Sequence, residues 1–295
     1  MTMSISPVDA GRPDFGGLVS GIDLSQPLRP DDQARIEAGM DRYAVLVFSD
    51  QDITNQQQIA FTQSLGTLEP AYFVPGDNVQ VGRIPNEIND VSNLDRDNKV
   101  LPRDDRHRLF QLGNLLWHSD SSYKAVPAKY SMLSARAIPD RGGDTEFADM
   151  RAAWDTLDAE TKALVRDMIC EHSRLFSRGE LGFTFSAEEQ VKFAPVPQRL
   201  VRRHPTTGRL SLYLSSHGGA IEGMPLPEGK ALLRELTEHA TQRERVYAHK
   251  WRRYDLVMWD NRVTMHRGRR YPAEQPRDMR RTTTMDMAST LQQAA

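Results

Sequence analysis

The 295-residue sequence contains one cysteine, Cys170. A single thiol excludes an internal disulfide framework and any CxxC zinc or redox motif, and it agrees with a reducing, cytoplasmic setting. Cys170 lies in RDMICEH, at the end of a helical pattern, where it reads as a small buried apolar residue rather than a nucleophile. Long hydrophobic runs are also missing, since no apolar stretch approaches the ~20 residues that a membrane-spanning helix needs. The opening MTMSISPVDAGRPDFGG has no basic start, apolar centre or small-residue cleavage pattern, so secretory targeting and a membrane partner are not expected.

An excess of either charge is lacking too. Thirty-eight Lys and Arg nearly balance forty Asp and Glu, for a formal charge of -2. Such a chain has no general electrostatic reason to bind nucleic acid or an anionic membrane. The one local basic patch, RRYPAEQPRDMRR, reads first as active-site and surface arginines. A small molecule is the expected partner.

What is present is ordinary globular composition, 39% hydrophobic and 26% charged, in a chain long enough for one sizeable core. Short apolar runs of strand character fall at 44–48 (AVLVF), 130–133, 210–214 (LSLYL), 246–251, 256–259 and 282–285. Helical patterns occupy 31–42, 54–65, 149–171 and 227–240, with Thr54 and Asp149 placed as caps. Strands that do not alternate regularly with helices argue against a doubly wound parallel sheet. The expected fold is mainly β with flanking helices: a distorted jelly roll, or double-stranded β-helix. With no internal repeat or low-complexity linker, residues 1–295 read as one domain, with irregular insertion loops at about 71–113 and 173–198. The exposed face of the 227–240 helix hints at a homo-oligomer.

The chemistry concentrates in two segments. LLWHSDSS places His118 and Asp120 two residues apart, on the same face of an extended chain, and DLVMWDNRVTMHRG supplies His266 just beyond a strand. Two imidazoles and one carboxylate on one face of an octahedral ion leave three positions open, which suits Fe(II) binding a chelating cosubstrate and dioxygen together. HxD with a distant histidine is a weak pattern taken alone, and His107, His172, His204, His217, His239 and His249 compete as ligands. His239 falls near a helix C-terminus, where a cation suits the dipole, and His249 alternates with Tyr247 and Trp251 as a strand residue does. If the chelator is 2-oxoglutarate, its distal carboxylate needs a charged, directional partner. Arg277 lies eleven residues after His266, and RDMRRTTT puts Arg277, Met279 and Arg281 on one strand face with Arg280 pointing away.

WHSDSSY, GGDTEFADMRAAWD and VMWDNRVTMHRGRRY followed by RDMRRTT occur in this order. With them the chain resembles the taurine and 2,4-dichlorophenoxyacetate dioxygenase family, from GIDLSQPL near residue 21 to about residue 287. It looks closest to the 2,4-dichlorophenoxyacetate/2-oxoglutarate dioxygenase branch. The resemblance implies Fe(II) held by His118, Asp120 and His266, with dioxygen and 2-oxoglutarate as cosubstrates. It implies Thr145 of GGDT and Arg277 on the distal carboxylate, and Arg281 on an anionic substrate, with His204 of VRRHPTTGR near the substrate carboxylate. An aryloxyalkanoate substrate is expected, cleaved at its ether after hydroxylation; Tyr72, Phe73 and Ile84 are candidates for its lining. An alkylsulfonate such as taurine is the alternative within the class. A zinc hydrolase using the same three ligands is the alternative outside it.

Overall fold

In the computed structural model, residues 2–71 and 83–293 are described. The largest sheet has seven strands, ordered Ser4–Pro7, Gly17–Ser20, Val45–Phe48, Leu256–Asp260, Ala128–Ala137, Asp278–Met285 and Asn89–Asp90. A second, three-stranded sheet is ordered Val246–His249, Thr145–Asp149 and Thr264–Gly268. Its inner residues pack with those of the large sheet: Phe147 with Trp259, Val257, Leu133 and Met279. These two layers are the double-stranded β-helix that the sequence led us to expect.

Burial follows strand periodicity. All of Val45–Phe48 is buried, because its alternate residues serve different layers. Val45 and Val47 face the inter-sheet core, whereas Leu46 and Phe48 meet Ile36, Met40 and Phe61 of the covering helices. Pro30–Tyr43 begins with Pro at its first turn and acidic Asp31 and Asp32, as the helix dipole favours. Asn55–Gln63 is opened by Thr54, whose hydroxyl and the Gln57 side chain form a capping box.

Several expected boundaries shift. Ala44 is not in the strand but ends the first helix in the left-handed region. The single helix expected over 149–171 is instead Met150–Asp155, Ala159–Val165 and a strand, Ile169–His172. The break has a local cause: Asp158 accepts from the Thr161 N–H and starts a new helix, while burial of Cys170 and His172 has a period of two. Cys170 is therefore a buried strand residue, and its packing role holds. The 173–198 segment, expected to be irregular, carries helices Arg174–Gly179 and Ala187–Lys192, capped by Ser173 and Ser186, and strand Val196–Arg199. Of 71–113, residues 72–82 lie outside the described part, and with them Tyr72 and Phe73. The remainder contributes Asn89–Asp90 to the large sheet and a short helix, Arg106–Gln111. No helix among the described residues is long and apolar enough to cross a membrane.

Candidate metal and 2-oxo-acid site

His118 and His266 are joined through their backbones. Each N–H donates to the other's carbonyl, at 2.9 and 2.8 Å, forming an isolated antiparallel bridge. Asp120 stands two residues on, and one donor atom from each of His118, Asp120 and His266 lies within 4.8 Å of the others. His118 Nε2 is 3.8 Å from Asp120 Oδ1, and His266 Nε2 is 3.7 Å from Oδ2.

The surroundings set the protonation that a metal needs. His118 Nδ1 donates to the Leu116 carbonyl at 2.8 Å, which leaves Nε2 with a free lone pair. Burial lowers the pKa of both imidazoles, well below the ordinary value for His266, so both are neutral donors near pH 7. Burial opposes ionisation of Asp120, yet Arg281, His266, His118 and the Ser131 hydroxyl together bring its pKa down to about 2. Asp120 is held from three sides: its N–H donates to Asn261 Oδ1 at 3.0 Å, Ser131 Oγ donates to Oδ2 at 2.8 Å, and Arg281 Nη1 donates to Oδ1. The His266 ring packs against Trp259, with centroids 4.6 Å apart, and against Phe147 at 6.0 Å. Two neutral imidazoles and one anionic carboxylate fit a divalent ion with open positions.

A cavity of about 470 Å³ opens beside this triad, and His118, His266, Arg281, Thr145 and Arg277 line it. Trp259, Leu133 and Tyr271 form part of its wall, and Leu112, Leu115 and Arg108 lie in the lining from the Arg106–Gln111 end. Arg277 is buried and has no ion pair among the described residues; its guanidinium makes 3.4 Å contacts to the Val91 and Gly143 carbonyls and lies 5.5 Å from the centre of the Tyr271 ring. Burial lowers its pKa from the usual guanidinium value, but arginine remains charged. A buried cation that faces a cavity and is paired with no carboxylate among the described residues fits an anionic ligand. Gly142 and Gly143, at φ +70° and +77°, allow the approach: a side chain on Gly142 would meet the Arg270 carbonyl at 2.4 Å. Thr145 Oγ1 accepts from Trp251 Nε1 at 3.0 Å, so its own proton is left to donate into the cavity. The donor set thus fits 2-oxoglutarate at its distal end as well as at the metal.

The expected strand face is confirmed. Arg277 and Arg281 line the cavity, Met279 is fully buried between them, and Arg280 turns away to Asp278 and Asn55. His204 is the exception. It is buried outside the cavity lining, 3.2 Å from Asp260 Oδ2, and accepts from Thr207 N–H at Nδ1. Asp260 follows Trp259 on an extended strand, so it faces the opposite side from the cavity. The structure therefore does not bring His204 into this cavity, because a strand-end position says nothing about which face a side chain takes. Of the other histidines, His249 bonds Asp255 at 3.0 Å and His239 bonds the Ala153 carbonyl at 2.9 Å. His217 stands closer: its ring is edge-on to His118 at 6.1 Å, with Ser177 Oγ 2.8 Å from Nδ1. Sequence reasoning passed over Ser131 and Asn261; the WDN triplet could have suggested Asn261, which also accepts from Trp259 Nε1 at 3.1 Å.

Residues 7–283 match the family described as taurine catabolism dioxygenase TauD, TfdA family. The chain is 45% identical over 283 residues to the alpha-ketoglutarate-dependent 2,4-dichlorophenoxyacetate dioxygenase of Cupriavidus pinatubonensis, covering 94% of this chain and 96% of that protein. It is 37% identical to the (S)-phenoxypropionate/alpha-ketoglutarate-dioxygenase of Sphingobium herbicidovorans, with 93% and 92% covered. The solved structure of AAD-2 in complex with Mn(II) and N-oxalylglycine superposes with a TM-score of 0.91 at 55% identity, covering 99% of this chain and all of that one.

Proposed function

The chain belongs to the TauD, TfdA family, and from that membership we propose that it oxygenates a small aryloxyalkanoate acid. It is an oxidoreductase that takes Fe(II), 2-oxoglutarate and dioxygen. In our reading His118, Asp120 and His266 hold the iron, while Arg277 and Thr145 hold the distal carboxylate of 2-oxoglutarate. The observation that carries this assignment is that one cavity joins the two neutral imidazoles of the His/Asp triad to a buried guanidinium lacking any acidic partner among the described residues.

Bound Fe(II) supplies open coordination positions where the keto acid and dioxygen meet, so that one oxygen atom oxidises a C–H bond and the other ends in succinate. The residues of this chain do the rest. The backbone bridge between His118 and His266 fixes the two ligand segments at one spacing. Arg277 orients the cosubstrate by a charge-assisted contact, and Trp251 turns the Thr145 hydroxyl towards it. Arg281, which lines the same cavity beside Asp120, would pair with the substrate anion in this reading. The overall reaction consumes substrate, 2-oxoglutarate and O2, and yields hydroxylated substrate, succinate and CO2. Hydroxylation beside the ether oxygen gives a hemiacetal, which collapses to a phenol and an oxoacid.

The names of the more similar relatives support the aryloxyalkanoate reading over a sulfonate. A taurine dioxygenase from Burkholderia xenovorans is 28% identical, against 45% for the dichlorophenoxyacetate enzyme. The zinc hydrolase alternative leaves Arg277 and Thr145 without a role. Succinate release tests the reading: an aryloxyacetate should raise it severalfold over substrate-free enzyme, and sulfonates should not. A panel in which no aryloxyalkanoate does so sinks the substrate assignment.

We also propose a single domain, a cytoplasmic setting and a homo-oligomer. One sheet joins the Ser4–Pro7 strand to Asp278–Met285, which supports a single domain over 1–295. A lone buried thiol supports a cytoplasmic setting. Leu226, half exposed at the start of the Leu226–Ala240 helix, supports a homo-oligomer, which light scattering would test.

A further inference from the structure

The residue after Asp120 has an unusual backbone. Ser121 sits at φ +53°, and of the five non-glycine residues with positive φ among the described residues, it alone adjoins a proposed ligand. A side chain disfavours this region, and such a residue persists where its surroundings over-determine it. Ser121 opens a turn, closed when the Lys124 N–H donates to the Ser121 carbonyl at 2.9 Å.

One buried oxygen atom ties both ends of that turn. Glu69 Oε1 accepts from Ser121 Oγ at 2.7 Å and from Lys124 Nζ at 2.7 Å. Glu69 is 3% exposed, and its other carboxylate oxygen is buried without a partner among the described residues. Its backbone is fixed as well, because the Glu69 N–H donates to the Thr283 carbonyl at 2.7 Å, on the strand that carries Arg281. Gln198, fully buried, closes the turn independently: its Nε2 donates to the Ser122 and Lys124 carbonyls, both at 2.8 Å. Asp120 is thus held on its N-terminal side by Asn261 and on its C-terminal side by a turn clamped between Glu69 and Gln198.

We infer that Glu69 is a positioning residue for the metal site: by fixing the strained turn at Ser121 it aims Asp120 at the two imidazoles and sets how tightly the triad holds an ion. Gln198 already pairs the turn's carbonyls, so what Glu69 adds is the side-chain tie to Ser121. A ligand held in the wrong rotamer must be reordered when the ion arrives, and groups behind metal ligands commonly carry 10–100-fold in affinity. The inference rests on the metal-site reading and goes beyond it by naming a group that touches neither ion nor substrate.

The test is titration of the apoprotein with Mn(II), followed by the signal of free Mn(II), with the thermal midpoint of each apoprotein as a control. Glu69→Ala should bind Mn(II) about tenfold more weakly than the parent while remaining folded at the assay temperature. Glu69→Gln, which retains an acceptor for Ser121 but loses the charge facing Lys124, should fall between the two. Ser121→Gly removes both the strain and the hydroxyl, so Glu69→Ala should add little on that background. Mn(II) affinity within twofold of the parent in Glu69→Ala, or full additivity with Ser121→Gly, overturns the inference. Should Glu69→Ala not fold, Ser121→Ala deletes only the hydroxyl: about threefold weaker binding supports the inference, and unchanged binding overturns it. A parent that binds no Mn(II) would refute the metal-site reading itself.

Discussion

His118 and His266, 148 positions apart in the chain, exchange both of their backbone hydrogen bonds, N to O at 2.9 and 2.8 Å. A directly opposed pair of this kind sends both side chains to the same face of the ladder. The geometry of the triad is therefore a property of strand register. Because the side-chain period is two, a one-residue slip of the Thr264–Gly268 strand would turn His266 away from Asp120.

Arg277 should govern cosubstrate affinity. Replacing it with Gln removes a charge-assisted partner of the distal carboxylate, at a cost of about 2–3 kcal/mol, or roughly 30–150-fold in KM for 2-oxoglutarate. Trp251→Phe should act on the same constant more weakly, by a few-fold, since it only frees the Thr145 hydroxyl to reorient. Steady-state kinetics with 2-oxoglutarate varied would check both, and an unchanged KM in Arg277→Gln would contradict the assignment.

Arg281 should govern the other anion. Arg281→Gln is expected to raise KM for an aryloxyacetate at least tenfold while changing KM for 2-oxoglutarate much less. Equal effects on both constants would mean that Arg281 acts chiefly through Asp120, to which it is bonded here.

His204 gives a contrasting expectation. It pairs with Asp260, whose carboxyl burial would raise but Arg262 and His204 hold far below the usual range. His204→Ala should therefore lower stability by about 1–3 kcal/mol without moving either KM. Chemical denaturation alongside kinetics separates the two, and a selective rise in substrate KM would restore His204 to the binding site.

His172 should make the apoprotein sensitive to mild acid. It is buried with both ring nitrogens unpartnered among the described residues, and burial lowers its pKa to about 3. Between about pH 3 and its unfolded value near 6.5, the unfolded chain binds a proton that the folded chain does not, so stability falls as pH falls below 6.5. At pH 5 this costs roughly 2 kcal/mol, from ~1.4 kcal/mol per pH unit. His172→Phe, which keeps a ring stacked on Tyr213, should recover most of that difference between pH 7.5 and pH 5. An identical pH profile in denaturant melts would contradict this.

The legible parts of the sequence were those in which a local pattern and a chemical need coincide. The i, i+2 spacing of His118 and Asp120 survives folding because the chain there is extended, and Arg277 and Arg281 reach one cavity because they are four residues apart along the entry and first half of the Asp278–Met285 strand, despite an irregularity beside Asp278. Cap residues Thr54 and Asp149 were legible because capping is a contact over two or three residues. The strand at Ile169–His172 was not, since the apolar periodicity of the helices before it ran on through Cys170. Nor was the side that His204 faces, since its partner Asp260 is 56 residues away and its face is set by tertiary register. Glu69, Ser131 and Asn261 act on Asp120 or its turn from three separate segments, so only the fold discloses them.

The most direct test of the iron and 2-oxo-acid site is anaerobic binding of 2-oxoglutarate to the protein with and without Fe(II), in the parent and in His266→Ala and Arg277→Gln. One 2-oxoglutarate should bind per chain, with Fe(II) strengthening it at least tenfold; His266→Ala should abolish the metal effect, and Arg277→Gln should weaken binding throughout. Binding of 2-oxoglutarate that is indifferent to Fe(II) and to both substitutions would contradict the account.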